Sequence, residues 1–213
     1  MERLQSQFIG SLIGTALGDS LGEGHGRYTD DTAMTIGVAE SLIASRGFDA
    51  DHMARTFARN YAVEPWRGYG FGPPMIFKMM REGTPWQDAA QRLYPGGSFG
   101  NGSAMRVAPV GLLYHDDLAK VAEVARQSSR ITHTHPLGTD GAALQACAVA
   151  LAVQSLARSI PTPLSVLCPS ACRRAYTIRS SGPWVACLTA GRRWTRPWLS
   201  LATRLKRSIL CPL

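Results

Sequence analysis

Two adjacent carboxylates, Asp30 and Asp31, stand between Thr29 and Thr32 immediately before an apolar run. One interpretation is structural, because a threonine is a good helix N-cap and acids in the first turn favour the positive end of the helix dipole. The other is functional, because carboxylate, hydroxyl and water oxygens are the ligands that Mg²⁺ prefers. Taken alone, the motif leaves both interpretations open.

A glycine-rich segment, GGSFGNGSAMR from Gly96 to Arg106, is the second candidate for chemistry. Exposed backbone N–H groups in such a turn can cradle a pyrophosphate. The segment lacks the Gly-Lys-Ser/Thr ending of a P-loop, so a kinase-like nucleotide site is excluded. An ordinary loop between helices is the alternative interpretation.

The third candidate is the segment RITHTHPLG, which places His133 and His135 just before a proline. A His-x-His pair can bind a transition metal, but the sequence offers no further His or Cys ligand nearby, which argues against zinc. We expect one histidine to form hydrogen bonds within a pocket and the other to cap the end of the preceding helix.

The elements that must position these residues are helices, because helical periods recur through the first 160 residues and alternating strand patterns are almost missing. The fold class is therefore predicted to be all-α. Met34, Val38 and Leu42 repeat every four residues and predict a buried stripe on a helix that starts at the Asp30 motif and ends near Gly47. Other helices are expected near 5–21, 51–61, 75–80, 85–93, 117–129 and 141–157.

Two of these helices have compositions that predict how they pack. In the first, Gly10, Gly14 and Gly18 form a smooth strip along which a neighbouring helix is expected to approach closely. The last, 141–157, is apolar nearly all round and should lie at the centre of the core. The segment EPWRGYGFGPP, by contrast, is too rich in Gly and Pro to be regular.

Charge divides the chain into two parts. Residues 1–160 carry 14 Lys and Arg and 15 Asp and Glu, whereas residues 161–213 carry nine Lys and Arg and no acid. We therefore expect a helical domain at 1–160 and a basic, disordered or non-native tail at 161–213. Because the first part is balanced, the pI of 9.7 is no reason to expect nucleic-acid binding by that domain.

Cysteine usage and hydropathy bear on the compartment. Cys147 is the one cysteine in the first 160 residues, which suggests a reducing, cytoplasmic setting. No signal peptide is expected, because an acid interrupts the charged N-terminal end and another follows the apolar stretch. No apolar run approaches the ~18 to 20 residues of a membrane span, so no membrane association is expected.

Several motifs occur together and in one order: GTALGDSLGEG, RYTDDTAMT, RGYGFG, GGSFGNGSAMRVAP and ITHTHPLGTDGAALQ. In this order they resemble the ADP-ribosylglycohydrolases, over roughly residues 8–157. The spacing is most similar to the branch that removes ADP-ribose from serine and degrades poly(ADP-ribose). The resemblance implies an all-α bundle that holds two Mg²⁺ ions in a cleft, and an ADP-ribosylated protein or ADP-ribose polymer as partner.

Site residues follow from the same resemblance. It implies metal ligation by Thr29, Asp30 and Asp31, which favours the functional interpretation of that motif. Glu23 is the candidate for the carboxyl group that handles a proton, although a solvated residue is an alternative for it. The resemblance implies that one set of residues binds substrate, with Phe99 placed to stack on a ring: Gly70, Gly97, Ser98, Phe99, Gly100, Asn101 and His133.

One motif of the resembled family, Gly-Gly-Asp-x-Asp-Ser/Thr, supplies further metal ligands there and does not occur in these 213 residues. The Asp-x-Asp pair formed by Asp49 and Asp51 is predicted to be a helix N-terminus instead. We therefore expect a truncated or frame-disrupted sequence and an incomplete, monomeric bundle. Besides a hydrolase, two alternatives stay open: a non-catalytic remnant that binds ADP-ribose, and a nucleic-acid-associated protein acting through the tail.

Overall fold

The computed structural model describes residues 2–24 and 26–155, except for the side chains of Glu2 and Ser155. These residues form helices and no strands, which confirms the all-α prediction. The predicted boundary at residue 160 and the basic tail lie outside the described residues. The helices are α1 (Glu2–Gly22), α2 (Asp30–Ala44), α3 (Ala50–Val63), α4 (Gly72–Arg81), α5 (Trp86–Leu93), α6 (Ala108–Leu113), α7 (Leu118–Ser129) and α8 (Pro136–Ser155).

Helix α2 begins where the Thr-Asp-Asp motif predicts. Thr29 is the N-cap, and its side chain accepts a hydrogen bond from the backbone N–H of Asp31. The predicted stripe is confirmed, because Met34, Val38 and Leu42 are all buried in the core that α2 shares with its neighbours. Burying three such side chains contributes ~1.5 to 3 kcal/mol each, which fixes the rotation of α2 about its axis.

Helix α8 confirms the prediction of a central, mostly apolar helix, and it packs against α7, α6 and α1. It starts five residues earlier than expected because Pro136 occupies the first helical position, where its missing N–H is not needed. Contrary to the expectation that no apolar run reaches this length, its segment Pro136–Gln154 is long and apolar enough to cross a bilayer, with a mean hydropathy of 1.3, although 56% of that window is buried inside the protein. The central helix of a packed bundle has these properties.

The sequence prediction was wrong in two further places near prolines. The Gly- and Pro-rich segment 64–74 was expected to be irregular throughout, but α4 already begins at Gly72. Pro73 and Pro74 fit the first turn of this helix, where their missing N–H groups are not needed. The short helix α6 was missed altogether, and it too has a proline, Pro109, in its first turn.

The glycine strip on α1 does not form a close helix contact among the described residues. A side-chain carbon built at Gly10, Gly14 or Gly18 would meet no described atom within 4 Å. The expectation of close approach along this strip is therefore wrong for this part of the chain. Helix α1 contacts α2, α6 and α8, and several large apolar side chains on it remain exposed.

Candidate functional site

A cleft of about 390 Å³ brings together segments that are far apart in the sequence. It lies where the start of α2, the start of α4 and the glycine-rich loop 96–103 come together. Three acidic residues line it, Glu23, Asp30 and Asp31. The other lining residues include Met34, Gly70, Phe71, Gly72, Tyr94, Ser98, Gly100, Asn101, Gly102, Arg106, Thr132 and His133.

The acidic residues place several like charges close together. Burial, with the charge of Asp31 second, raises the pKa of Asp30 to about 6. Burial also raises the pKa of Asp31, with smaller contributions from Asp19 and Glu23. Both pKa values are raised because the ionised form of each carboxyl group is disfavoured in this environment. A bound cation would stabilise the ionised form of both groups.

Asp19, at the end of α1, organises the start of α2. Its carboxylate accepts hydrogen bonds from the backbone N–H and hydroxyl of Thr29, at 2.8 and 2.7 Å. It also accepts from the backbone N–H and hydroxyl of Thr32, at 3.2 and 2.6 Å. Burial raises the pKa of Asp19, but these hydrogen bonds outweigh burial and hold that pKa below its usual value.

Thr29 is therefore oriented by Asp19, and it is not among the residues that line the cleft. Its hydroxyl donates to Asp19 and accepts a long hydrogen bond, 3.4 Å, from the backbone N–H of Asp31. A hydroxyl oxygen has two lone pairs, so one remains available. Within residues 2–24 and 26–155, no group of three or more His, Cys, Asp and Glu has the arrangement of a metal site.

The donor set at the start of α2 nevertheless fits a magnesium ion. Mg²⁺ is commonly held by one or two carboxylates, with water and substrate oxygens filling the remaining positions. Asp30 and Asp31 supply two such carboxylates, both on the cleft wall. A small hard cation bound between these carboxylates would offset the charge crowding described above.

Glu23 stands on the same cleft as this pair. It follows α1 directly, and its backbone N–H donates to the carbonyl of Asp19 at 3.1 Å. Its side chain is exposed to solvent. The structure thus brings the proposed proton-handling residue to the cleft, although the sequence left a purely solvated residue as an alternative.

The glycine-rich loop is held in place by backbone packing at Gly97. This residue has a φ of +86°, and a side-chain carbon built on it would lie 2.3 Å from the backbone nitrogen of His135. No residue other than glycine fits without moving the loop. Gly97 itself does not line the cleft, so its role in the structure is to bring Ser98 and Gly100 to it.

The same loop presents a hydroxyl and a ring. The backbone N–H of Gly100 donates to the Ser98 hydroxyl at 3.3 Å. Since that oxygen is the acceptor, the hydroxyl hydrogen is available for a bound molecule. The Phe99 ring is 70% exposed and meets the His135 ring edge-on, with 5.4 Å between the ring centroids. The ring lies outside the lining of the cleft and is accessible from solvent.

His133 is buried in the cleft wall beneath the glycine-rich loop. Its Nδ1 pairs with the Thr132 hydroxyl at 2.8 Å. A side-chain carbon built on Gly102 would lie 2.7 Å from the imidazole, so this glycine permits the close contact. Burial, assisted by the charge of Arg106, lowers the pKa of His133 to about 4, which makes the ring neutral at pH 7.

His135 caps a helix, but not the one that was expected. Its Nδ1 accepts a hydrogen bond from the backbone N–H of Leu137 at 3.1 Å, in the first turn of α8. The cap therefore belongs to the following helix. A neutral imidazole nitrogen is an acceptor and satisfies an N-terminal donor, whereas the preceding helix needs donors at its end.

Sequence analysis missed Arg106 and Tyr94 as residues of this site. Arg106 is fully buried, donates from Nη2 to the Ser128 carbonyl at 3.1 Å and lies over the Phe57 ring, with Cζ 4.6 Å from the centroid. Burial lowers its pKa to about 9. A polar residue inside the apolar stretch AMRVAP was the only available signal.

The prediction for Asp49 and Asp51 is confirmed. Asp49 is the N-cap of α3 and accepts from the backbone N–H of His52 at 2.9 Å, while Asp51 lies in the first turn of that helix. Neither residue lines the cleft.

A second cavity, of about 340 Å³ between α1, α2 and α6, is lined almost entirely by apolar side chains and offers no comparable chemistry.

The amino-acid sequence is similar to that of a known protein family. The sequence profile of the ADP-ribosylglycohydrolase family matches residues 1–207. The chain belongs to the ADP-ribosylglycohydrolase family. The family expected from the motifs is thereby confirmed, and the match continues beyond residue 157, where the motif resemblance ends.

Individual members of the ADP-ribosylglycohydrolase family are also similar to it. ADP-ribosylhydrolase ARH3 of Mus musculus is 43% identical over 135 residues, which is 62% of this chain and 36% of that protein. ADP-ribosylhydrolase ARH3 of Gallus gallus is 45% identical over 130 residues, 60% of this chain and 35% of that protein. An ADP-ribosyl-[dinitrogen reductase] glycohydrolase of Rhodospirillum rubrum is 33% identical over 119 residues, 56% of this chain and 38% of that protein. The matched part thus spans little more than a third of these relatives.

Proposed function

We propose that this chain is a hydrolase that cleaves the glycosidic bond between ADP-ribose and a protein side chain, or between two ADP-ribose units. Of the linkages in this class we favour serine-linked ADP-ribose and poly(ADP-ribose), on the spacing of the sequence motifs. The observation that carries the proposal is a single cleft. Glu23, Asp30 and Asp31 line it, and so do Ser98, Gly100 and Asn101 of the glycine-rich loop.

The chemistry of the ligand agrees with this arrangement. A diphosphate suits a glycine-rich backbone, and ribose hydroxyls suit a region of carboxylates and bound cation. The Ser98 hydroxyl and a neutral His133 are uncharged groups that form hydrogen bonds without attracting or repelling the substrate strongly. Gly70 adds no side chain to its part of the cleft, which leaves room for the ligand.

We further propose that Thr29, Asp30 and Asp31 hold Mg²⁺, which when bound would orient the ribose and favour charge development at its anomeric carbon. Asp19 contributes by fixing the Thr29 hydroxyl through a 2.7 Å hydrogen bond. Asp30 and Asp31 then stay on the cleft wall as ionised ligands, because the cation offsets the burial and repulsion that raise their pKa values.

The reaction also needs a carboxyl group that moves a proton, since the transition state resembles an oxocarbenium ion and the leaving group is poor. We assign this role to Glu23. It is exposed on the cleft next to the acidic pair, so its carboxylate can accept a proton from water or return one to the leaving oxygen.

The decisive experiment measures release of free ADP-ribose from a serine-ADP-ribosylated peptide by the full chain, with Mg²⁺ and with EDTA. Asp30→Ala and Glu23→Gln are the test variants, and Asp88→Ala, which changes an exposed acid on α5, is the matched control. We expect wild type and Asp88→Ala to release ADP-ribose only with Mg²⁺. Both test variants should lose at least about 100-fold in rate.

Binding of ADP-ribose, measured by calorimetry on the same samples, separates the alternatives. A folded wild-type chain that binds ADP-ribose without turnover is a non-catalytic binding protein, and the hydrolase proposal is then wrong. A folded chain that neither binds ADP-ribose nor hydrolyses the modified peptide would exclude both the hydrolase and the binding protein. Turnover at the same rate with and without EDTA would support the proposed hydrolase activity and contradict the proposed magnesium site.

A further inference from the structure

Three residues outside the lining of the cleft form a tight cluster beside it. The Tyr28 phenol donates to Glu64 Oε2 at 2.9 Å, and Arg67 Nη2 donates to Glu64 Oε1 at 2.6 Å. The guanidinium of Arg67 stacks on the Tyr28 ring, with Cζ 3.6 Å from its centroid, and Nη1 donates to the Tyr28 carbonyl at 3.4 Å. We call these residues the Tyr28–Glu64–Arg67 cluster.

This cluster connects two parts of the sequence that both reach the site. Tyr28 directly precedes the Thr-Asp-Asp motif, while Glu64 caps the end of α3 and Arg67 opens the segment that leads into α4. The side chains of Arg67 and Glu64 are only 18% and 31% exposed, so the ion pair is better shielded from water than the other Arg–Glu pair in the described residues. Reduced screening makes such a pair stronger than a typical surface pair.

The segment that follows Arg67 lies against the acidic motif. Gly68 has a φ of +80°, and a side-chain carbon built on it would lie 3.9 Å from Cβ of Thr29. The Tyr69 ring meets the Tyr61 ring edge-on, 5.0 Å between centroids. Gly70 and Phe71 then line the cleft together with Asp30 and Asp31.

We propose that Tyr28, Glu64 and Arg67 are positioning residues, which hold segment 68–71 where Gly70 and Phe71 form one wall of the cleft and so set its affinity for a nucleoside diphosphate ligand such as ADP-ribose. This inference rests on the proposed function for the identity of the ligand. It goes beyond that function because none of the three residues lines the cleft.

Arginine is required in this cluster by geometry. One planar group donates to a carboxylate and a carbonyl while its face covers an aromatic ring, which the point charge of a lysine cannot do. Removing Arg67 takes away the ion pair to Glu64 and the stacking on the Tyr28 ring, which leaves segment 68–71 without its anchor. Small displacements of a binding wall have large effects, since misplacement by about 1 Å can cost about 100-fold in rate.

The test compares wild type with Arg67→Ala, Arg67→Lys and Tyr28→Phe in the full chain. Arg59→Ala is the matched control, because Arg59 forms a 3.0 Å ion pair with Glu40 between α3 and α2 and lies away from the cleft. The first readout is the Kd for ADP-ribose in the presence of Mg²⁺. The second needs no ligand and is the backbone order parameter of Gly68, Tyr69 and Gly70 from NMR relaxation.

We expect Arg67→Ala to raise the Kd about tenfold and to lower the order parameters from about 0.85 to below about 0.6. Arg67→Lys should behave similarly, and Tyr28→Phe, which keeps the ring and loses the hydroxyl, should raise the Kd about threefold. Arg59→Ala should change neither readout, even if its unfolding free energy falls by a similar amount.

Two results would overturn the inference: order parameters in Arg67→Ala equal to those in Arg59→Ala, or a mobile segment combined with an unchanged Kd. If the wild type does not bind ADP-ribose, the proposed function fails on that observation alone. The order parameters then still decide whether the cluster holds the segment. Tyr28→Phe makes the test possible even if Arg67→Ala does not fold.

Discussion

Asp19 Oδ1 accepts the hydroxyl hydrogen of Thr29 at 2.7 Å, which joins the end of α1 to the N-cap of α2. The other carboxylate oxygen accepts both the backbone N–H and the hydroxyl of Thr32. One side chain from the first helix thus fixes the start of the second. The orientation of the Thr29 hydroxyl depends on the acceptor being a carboxylate.

Asp19→Asn should therefore reduce both stability and Mg²⁺ binding, although asparagine has nearly the same size as aspartate. An amide nitrogen at the Oδ1 position cannot accept from the Thr29 hydroxyl and forces it to turn. We expect a loss of about 1 to 3 kcal/mol in the free energy of unfolding and a clear weakening of Mg²⁺ binding. Urea unfolding and magnesium calorimetry measure the two effects.

Asp117→Asn is the control for that experiment. Asp117 is the N-cap of α7 and accepts from the backbone N–H of Lys120 at 2.9 Å, remote from the cleft. It should change the free energy of unfolding by less than about 1 kcal/mol, because asparagine caps a helix about as well as aspartate, and it should leave the magnesium affinity unchanged. Equal magnesium affinities in the two variants would contradict the role given to Asp19.

Asp30→Asn should stabilise the metal-free protein. Burial and the neighbouring charge of Asp31 raise the pKa of Asp30 to about 6, so ionised Asp30 costs folding free energy at pH 7.5. Allowing for partial screening by solvent and a weakened helix-dipole interaction, we expect a gain of about 1 kcal/mol in EDTA. The thermal midpoint should rise while magnesium binding is lost.

Asp88→Asn provides the comparison, since Asp88 is an exposed acid in the first turn of α5. That substitution should leave the thermal midpoint unchanged or slightly lower. If Asp30→Asn in EDTA is no more stable than Asp88→Asn, burial and the charge of Asp31 do not raise the pKa of Asp30 in this way.

Acidification should destabilise the protein through His133. Its pKa is about 4 in the folded chain against a usual value of 6.5, so the unfolded state binds more protons between these pH values. The free energy of unfolding therefore does not depend on His133 above pH 6.5, and it decreases as the pH falls from 6.5 toward 4. The full span corresponds to roughly 3 kcal/mol.

The measurement is the free energy of unfolding from pH 4.5 to 7 for matched pairs with and without His133→Gln. An Asp30→Asn background is used because Asp30, with its raised pKa, contributes the opposite slope in the same range. His133→Gln should flatten the profile. A profile unchanged by His133→Gln would show that the imidazole does not titrate in this way.

Gly97→Ala should be much more costly than Gly96→Ala. Both glycines have a positive φ, +86° and +92°, and both substitutions introduce backbone strain of ~1 to 2 kcal/mol. A side-chain carbon on Gly96 would meet nothing within 4 Å, whereas one on Gly97 would collide with the backbone of His135. The difference between the two midpoints in urea isolates the collision.

We expect Gly97→Ala to lose at least about 2 kcal/mol more than Gly96→Ala and to weaken ADP-ribose binding, because the loop with Ser98 and Gly100 must shift. Similar stabilities for the two variants would mean that the loop relaxes easily and that Gly97 does not set its position.

Local features of the sequence determined most of the helices and their faces. The Thr-Asp-Asp start and the spacing of Met34, Val38 and Leu42 are short-range patterns, so they predicted both the N-cap and the buried side of α2. The family motifs predicted Gly70 and His133 as site residues, and both line the cleft. Proline misled only where it occupies a first helical turn, as in α4 and α6.

Tertiary structure decided everything that depends on contacts between distant segments. Sequence spacing does not reveal that Asp19 binds Thr29 and Thr32, that Gly97 presses on His135, or that Arg67 stacks on Tyr28. These contacts exist because α1, α2 and the loops before α4 and α6 pack around one cleft, and the packing is set by the whole core. Burial follows from the same packing, which is why the pKa shifts of Asp30 and His133 could be read only from the folded chain.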